Sequence, residues 1–341
     1  MMNKLKVAVV GTGIYGKHHI NAYLHNPDVE LVAVCDNNIE RCHAAADELG
    51  IARYASLSTL LDEQQVDIIS VATSDPFHKE PALQAIAHGK HVLIEKPLAT
   101  SVADCEAIIA AAREHEVTVG VDFHKRWDPA AIRVRMEVQK AESGRILRGY
   151  INMDDVIAVP SEWLAWSAHS SPVWFLGSHC FDMVRYISGQ EVKSVYAVGQ
   201  KRLLASKGLD TWDRVQSTLL MEDGSSWVIE NSWVLPAAFP KDNDGRMAVL
   251  CDNAWIRSDS QNRGLEIFGQ QTVKTPNSYF ITYRDGVASG FGIDPINDFI
   301  KAVKSNTPYA ASADDGLQAS RICETAHKSL LSGQAELLGL C

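Results

Sequence analysis

Several things are scarce in this 341-residue sequence, and each scarcity removes a class of function. No run of 18 apolar residues occurs, so no transmembrane helix is expected. Positive charge is in deficit: 32 Lys+Arg stand against 42 Asp+Glu, a net charge of −10. Residues 1–124 hold most of that excess, with 9 Lys+Arg and 17 Asp+Glu. Such a chain is a poor partner for nucleic acid or an anionic membrane, both of which need basic patches. The seven cysteines, at 35, 42, 105, 180, 251, 323 and 341, are odd in number and form no C-x-x-C pair. Reduced thiols in a cytoplasmic protein are expected. No zinc-type ligand spacing is present, and the adjacent His18 and His19 point apart on a helix, so no metal is expected. The start, Met1-Met2-Asn3-Lys4-Leu5-Lys6, has no signal-peptide apolar region and leads directly toward a strand. Internal repeats and low-complexity tracts are missing as well.

What is present, 46% hydrophobic and 22% charged residues, is ordinary for a globular protein, and the length suits two domains. The β-branched run Leu5–Val10 leads into Gly11-Thr12-Gly13-Ile14-Tyr15-Gly16, and a helical pattern follows to Leu24. This is G-x-G-x-x-G in a strand–turn–helix setting. The first glycine permits the turn, the second lets backbone approach a pyrophosphate, and the third lets helix pack on strand. Phosphate would rest on the helix amino terminus, where free N–H groups and the dipole favour negative charge. The next strand, 30–35, ends in Asp36, 20 residues after Gly16. A carboxylate there accepts both adenosine ribose hydroxyls and repels a 2′-phosphate, so NAD is favoured; Arg41, one turn on, leaves NADP possible.

Strands and helices then alternate: helix 39–49, strand 67–72, helix 76–88, strand 91–95, helix 101–115 and strand 117–121. Alternation of this kind means a doubly wound parallel sheet of the Rossmann type. Thr73 and Ser74, at a strand's carboxyl end before Asp75-Pro76, either line the dinucleotide groove or merely cap. His78 in the following turn either reaches the cofactor or is structural. The strand 91–95 stops abruptly at Glu95-Lys96-Pro97. Proline keeps Lys96 extended, so a cation stands at a strand's carboxyl end, where open α/β sheets bind ligands.

Gly11–Gly16, Asp36, Thr73 to His78 and Glu95-Lys96-Pro97 together resemble the Gfo/Idh/MocA oxidoreductases, named for glucose–fructose oxidoreductase, inositol dehydrogenase and the MocA proteins. The stretch 121–129, the segment Gly177-Ser178-His179-Cys180-Phe181-Asp182 and the region 314–329 extend the likeness over nearly the whole chain. The resemblance implies a nicotinamide-dependent dehydrogenase or reductase acting on CH–OH groups of a sugar, cyclitol or related polyol. It places Lys96 of E-K-P, with Glu95, beside the nicotinamide and the reacting hydroxyl, and makes His179 of H-x-x-D the acid/base. Neutral histidine suits removal of a hydroxyl proton near pH 7, and an ammonium stabilises the developing oxyanion. One position departs from the pattern. Many members carry an aspartate four residues before that histidine; here it is Phe175, so either His179 has another partner, Asp182 or Asp154, or the chemistry is weaker or different, with Lys96 handling more of the proton.

Beyond residue 124 the pattern changes. A helix is expected over 130–142, then strands at 145–156, 192–204, 214–221, 226–234, 247–251, 254–257 and 264–268, with helices at 293–304 and 313–331. Strands without intervening helices form a large, mostly antiparallel sheet, so residues 125–341 are expected to be an α+β substrate and oligomerisation domain. An apolar open face would make homodimers or homotetramers. His179 and Asp182, at i and i+3, share one helix face. Trp163, Trp166 and Trp174 with Phe175 either wall a sugar site by ring stacking or pack under a loop. His124 and Arg126 lie within reach of a substrate, although a salt bridge also accounts for Arg126. Two other readings fit the same residues: an NAD-dependent hydrolase with no net redox change, and a nucleotide-binding sensor without turnover.

Overall fold

The computed structural model describes residues 4–339 except 262 and 272, so Met1 to Asn3, Asn262, Thr272, Leu340 and Cys341 lie outside the described residues. Two compact units divide the chain: Met1–His124 with Phe280–Leu317, and Lys125–Tyr279 with Gln318–Cys341.

In the first unit the strands are β1 (Leu5–Val10), β2 (Val29–Cys35), β3 (Ala52–Tyr54), β4 (Ile68–Val71), β5 (His91–Glu95) and β6 (Val119–Asp122). They pair in parallel in the order β3-β2-β1-β4-β5-β6, the doubly wound order whose reversal opens a crevice beside β1. Helices α1 (Ile14–Leu24), α2 (Ile39–Leu49), α3 (Leu57–Glu63), α4 (Lys79–Ala87) and α5 (Val102–Glu114) make the connections. Covered on both faces, the central strands are mostly apolar. Val7, Val9, Ile69, Leu93 and Val121 are fully buried, each contributing roughly 1.5–3 kcal/mol. The expected elements are present; β3 and α3 were not foreseen, because three residues carry too little periodicity.

The sequence reading assigned residues 280–317 to the second domain, but they return to this unit. The edge of β6 explains why. Val121 N–H donates to Ala311 O at 3.0 Å, and the Tyr309 ring lies where a Cβ on Gly120 would sit. The returning segment thus covers a strand edge that would otherwise present unpaired groups.

The second unit holds α6 (Pro129–Val138), β7 (Ile146–Val156), α7 (Ser178–Ser188), β8 (Val192–Gln200), α8 (Leu203–Ser206), β9 (Arg214–Met221), β10 (Ser226–Leu235), β11 (Asn243–Cys251), β12 (Trp255–Asp259) and the minimal pair β13 (Ile267–Phe268) and β14 (Val273–Lys274). In the first unit β15 (Thr282–Arg284) pairs with β16 (Val287–Ser289), followed by α9 (Asp294–Ser305). Helix α10 (Ala313–Ser332) runs from the first unit into the second, and β17 (Glu336–Leu337) ends the described chain. The second sheet has the order β12-β11-β7-β10-β9-β8-β17 and is antiparallel except at β10–β7. Cys180, Phe181, Met183 and Val184 of α7 share one core with Ile151, Val215, Leu219, Trp227 and Ile229 of the sheet. A Cβ on Gly149 would lie 2.1 Å from the Trp227 ring, so only glycine admits that indole. Leu203 and Leu204, expected to extend β8, instead begin the short α8. Among the described residues no helix is long and apolar enough to cross a membrane.

Candidate active site

The glycine loop has the geometry its sequence demands. Gly11 has φ +93°, and a Cβ there would lie 2.4 Å from Ala72 O; one on Gly16 would lie 1.9 Å from Gly11 O. Both glycines let backbones meet. A Cβ on Gly13 would meet nothing within 4 Å, so that point of the loop is open to a ligand approaching the start of α1. Ile14 is exposed and Tyr15 partly so, whereas Thr12 is fully buried and turns inward. Its N–H and hydroxyl donate to Asp36 Oδ2 at 2.8 and 2.9 Å. Burial acts to raise the Asp36 carboxyl, but hydrogen bonds from Arg41, Thr12 and Asn38 hold it below the ordinary value.

At the end of β5, Lys96 is buried, its Nζ lies 5.7 Å from the centroid of the Tyr15 ring, and the peptide bond to Pro97 is cis. The strand-end cation therefore stands beside the dinucleotide loop. Glu95, expected to line the cofactor groove, faces inward instead. Its Oε1 is 2.9 Å from His19 Nε2, which is also 3.5 Å from Asp122 Oδ2, while His19 Nδ1 is 2.5 Å from Ser70 Oγ. Glu95 and Asp122 are register partners at the ends of β5 and β6. Ligand atoms of His19, Glu95 and Asp122 lie within 4.8 Å of one another, the one such group among the described residues. Burial acts to raise Glu95, yet the His19 hydrogen bond and charge, helped by Lys96, bring it to about 2. Asp122 is pushed up to about 8 by burial and by the Glu95 charge. Burial would lower His19, but Glu95 and Asp122 together raise it. A histidine raised above its ordinary range, a carboxyl lowered and a carboxyl raised thus share this pocket.

Thr73 donates its hydroxyl to Phe77 O at 2.9 Å, a bond to a carbonyl that caps no N–H group, and Ser74 makes no side-chain cap. His78 faces two backbone carbonyls, Pro97 O at 2.6 Å and Thr73 O at 3.1 Å, and so ties the β4 loop to the E-K-P turn rather than presenting a nitrogen to a cofactor. His124 lies flat against Phe291, with 6.0 Å between centroids and 21° between planes, as packing within the first unit.

In the second unit His179 is buried in the first turn of α7. Asp182, a candidate partner for it and a candidate substrate ligand, pairs with Arg126: Nε donates to Oδ2 at 2.8 Å and Nη2 to Oδ1 at 2.5 Å, both side chains buried. The other candidate partner is Asp154. It alternates onto the sheet face opposite Ile151 and Met153, accepts Asn152 Nδ2 at 2.7 Å, and is pushed up to about 6 by burial, with Asp244 and Glu230 adding to it. Phe175 sits between Trp166 and Trp233, each ring 5.8 Å away, so its position is filled by aromatic packing. Trp174 stacks on His327, leaving Trp163, 45% exposed, as the tryptophan of this loop able to face a ligand. Lys125 was passed over in the sequence. Burial pushes its amine down, while Asp128, Arg263, Cys180 and Asp155 act on it electrostatically; its neighbours in sequence gave no signal of that.

A doubly wound sheet with an open glycine loop, a carboxylate at the end of β2 and a lysine at the end of β5 is the arrangement of a dinucleotide-binding fold. Residues 5–123 match the family described as oxidoreductase family, NAD-binding Rossmann fold, and residues 132–257 match the GFO/IDH/MocA C-terminal domain. The chain belongs to this family, and its cofactor is NAD. It is 28% identical over 339 residues to an uncharacterized oxidoreductase of Bacillus subtilis, covering 98% of this chain and 96% of that one. To the myo-inositol 2-dehydrogenase of Thermotoga maritima it is 26% identical over 332 residues, 96% of each. The fold matches GenD2 from gentamicin A biosynthesis in complex with NAD, with TM-score 0.88 and 22% identity over 100% of this chain and 98% of that one.

Proposed function

We propose that the protein transfers hydride between NAD and a CH–OH group of a sugar, cyclitol or related polyol. The observation that carries this is the buried Lys96 at the carboxyl end of β5, its Nζ 5.7 Å from the Tyr15 ring of the glycine loop. A cation held next to a dinucleotide loop suits an oxygen that gains negative charge as hydride leaves its carbon. Relatives named myo-inositol 2-dehydrogenase and levoglucosan dehydrogenase support the substrate class. NAD, when bound, supplies the hydride acceptor. Lys96 hydrogen-bonds the reacting oxygen, and His179 takes the hydroxyl proton. With Phe175 where a carboxylate would orient the imidazole, Lys96 carries more of the proton handling. Gly13 admits the pyrophosphate in a turn that Gly11 and Gly16 make possible, Asp36 accepts the ribose, and Trp163 stacks on the apolar face of a ring.

The test is a panel of polyols, sugars and cyclitols with NAD and with NADP, followed by absorbance of the reduced nicotinamide. Growth of that absorbance with at least one cyclitol or sugar is expected. Cleavage of glycosides without it would replace this reading by redox-neutral hydrolysis. We also place the protein in the cytoplasm, on its buried cysteine thiols, and as a homodimer or homotetramer through the open face of the second sheet.

A further inference from the structure

One face of α1 meets the Glu95-Lys96-Pro97 turn at two points. Tyr15 and His19 are four residues apart and so lie on one side of the helix. The Tyr15 ring faces Lys96 Nζ at 5.7 Å, and His19 Nε2 lies 2.9 Å from Glu95 Oε1. Asp122, the register partner of Glu95, brings its Oδ2 to 3.5 Å from the same Nε2. The other ring nitrogen is held 2.5 Å from Ser70 Oγ, which fixes the orientation of the imidazole. His19, Ser70, Glu95 and Asp122 are all buried. Glu95 Oε2 and Asp122 Oδ1 accept no hydrogen bond from the described residues. Neighbouring cations, not a cradle of N–H groups, therefore balance the charge here.

Two carboxyls this close to one imidazole, with ligand atoms within 4.8 Å, titrate as a pair. Burial acts to raise Glu95, but His19 and Lys96 draw it down; burial and the Glu95 charge push Asp122 up. The Lys96 charge reaches both carboxyls. The other titratable groups acting on the pair are His18 and Tyr23 of α1 and His124 after β6. None of these is an anion at neutral pH, since burial pushes the Tyr23 hydroxyl further up. The negative charge of the pocket thus rests on Glu95 and Asp122. Resting on the reading of Lys96 as the group beside the reacting oxygen, we propose that Glu95 and Asp122 are paired positioning residues: with His19 they dock the turn on α1, and the one negative charge they share keeps Lys96 an ammonium beside the dinucleotide loop. If one carboxyl is lost, the other takes over the charge.

The test reads Lys96 directly and needs no substrate. It is carbon-13 NMR of the intact chain labelled at the lysine ε-carbons, with the Lys96 signal assigned by its loss in Lys96→Arg. Glu95→Gln and Asp122→Asn are each expected to move the pH at which that signal titrates by less than about half a pH unit, and the double variant to lower it by about two or more. A double variant in which Lys96 titrates as in the parent, or a full drop in either single variant, overturns the shared charge and leaves the dehydrogenase reading standing. Should the double variant not fold, the Asp122 carboxyl decides, followed in Glu95→Gln through labelled aspartate. It is expected to titrate at lower pH than in the parent, and an unchanged titration overturns the proposal. A polyol panel that reduces no NAD while the Lys96 shifts are present overturns the dehydrogenase reading and upholds the pocket.

Discussion

Lys96 and the three buried groups beneath it set two expectations at the scale of single residues. If Lys96 stabilises the reacting oxygen, Lys96→Met lowers turnover by roughly a hundredfold or more while the NADH dissociation constant stays within about fivefold. Turnover within threefold of the parent on every substrate would remove Lys96 from the chemistry. Asp122 makes a claim about stability. Its folded pKa, about 8, lies above the ordinary 3.8, so between those values the native state holds a proton that the unfolded state has released. Stability from this group is therefore present below pH 4 and lost as pH rises toward 8. His19, raised by the same neighbours, acts in the same direction above its ordinary 6.5, and Glu95, lowered to about 2, acts oppositely but only between about 4.5 and 2. Asparagine mimics the protonated acid without titrating. The melting temperature of Asp122→Asn relative to the parent should therefore climb between pH 5 and pH 8. A difference that stays constant over that interval would show that Asp122 is ionised in the native state throughout.

At the scale of elements, local pattern was legible and long-range partnership was not. The glycine loop and Asp36 could be read because turn, strand and spacing all lie within 36 residues of chain. The pocket of His19, Glu95 and Asp122 could not, since His19 and Glu95 are 76 residues apart and three elements contribute one group each. The i, i+3 spacing put His179 and Asp182 on one face of α7 correctly, yet spacing does not say what that face meets, and Arg126 took the carboxylate. That pair anchors α7 to the segment preceding α6. Removing one partner leaves the other charge buried, so Asp182→Ala is expected to cost about 3–5 kcal/mol, whereas Arg126→Met with Asp182→Leu costs far less than the two changes summed. Urea denaturation of the parent, Arg126→Met, Asp182→Leu and the double variant measures the coupling, with Asp182→Ala alongside; strict additivity would mean that the two groups do not interact in solution.

For the whole molecule the open face of the second sheet is decisive. One register row crosses it through Trp255, Leu250, Arg148, Ser226, Leu220 and Ser194, and Tyr196 and Val198 continue the same face along β8. Trp255 is 50% exposed, Tyr196 43%, Val198 41% and Leu220 40%. The opposite face is closed by α7, so these side chains stay wet in a single chain, and an apolar patch of this kind on a folded protein marks an interaction site. A face that meets a second copy across a two-fold axis must suit itself, and this one presents apolar side chains on β8 and β9 together with Arg148, Arg214 and Glu230. The parent is expected to sediment as a dimer or tetramer of 37.5 kDa chains. Tyr196→Glu combined with Leu220→Asp places like charges on both sides of such a contact and should return it to the monomer with its circular dichroism unchanged. A parent that already sediments as a monomer, or a double variant that keeps the parent's mass, would rule this face out as the interface.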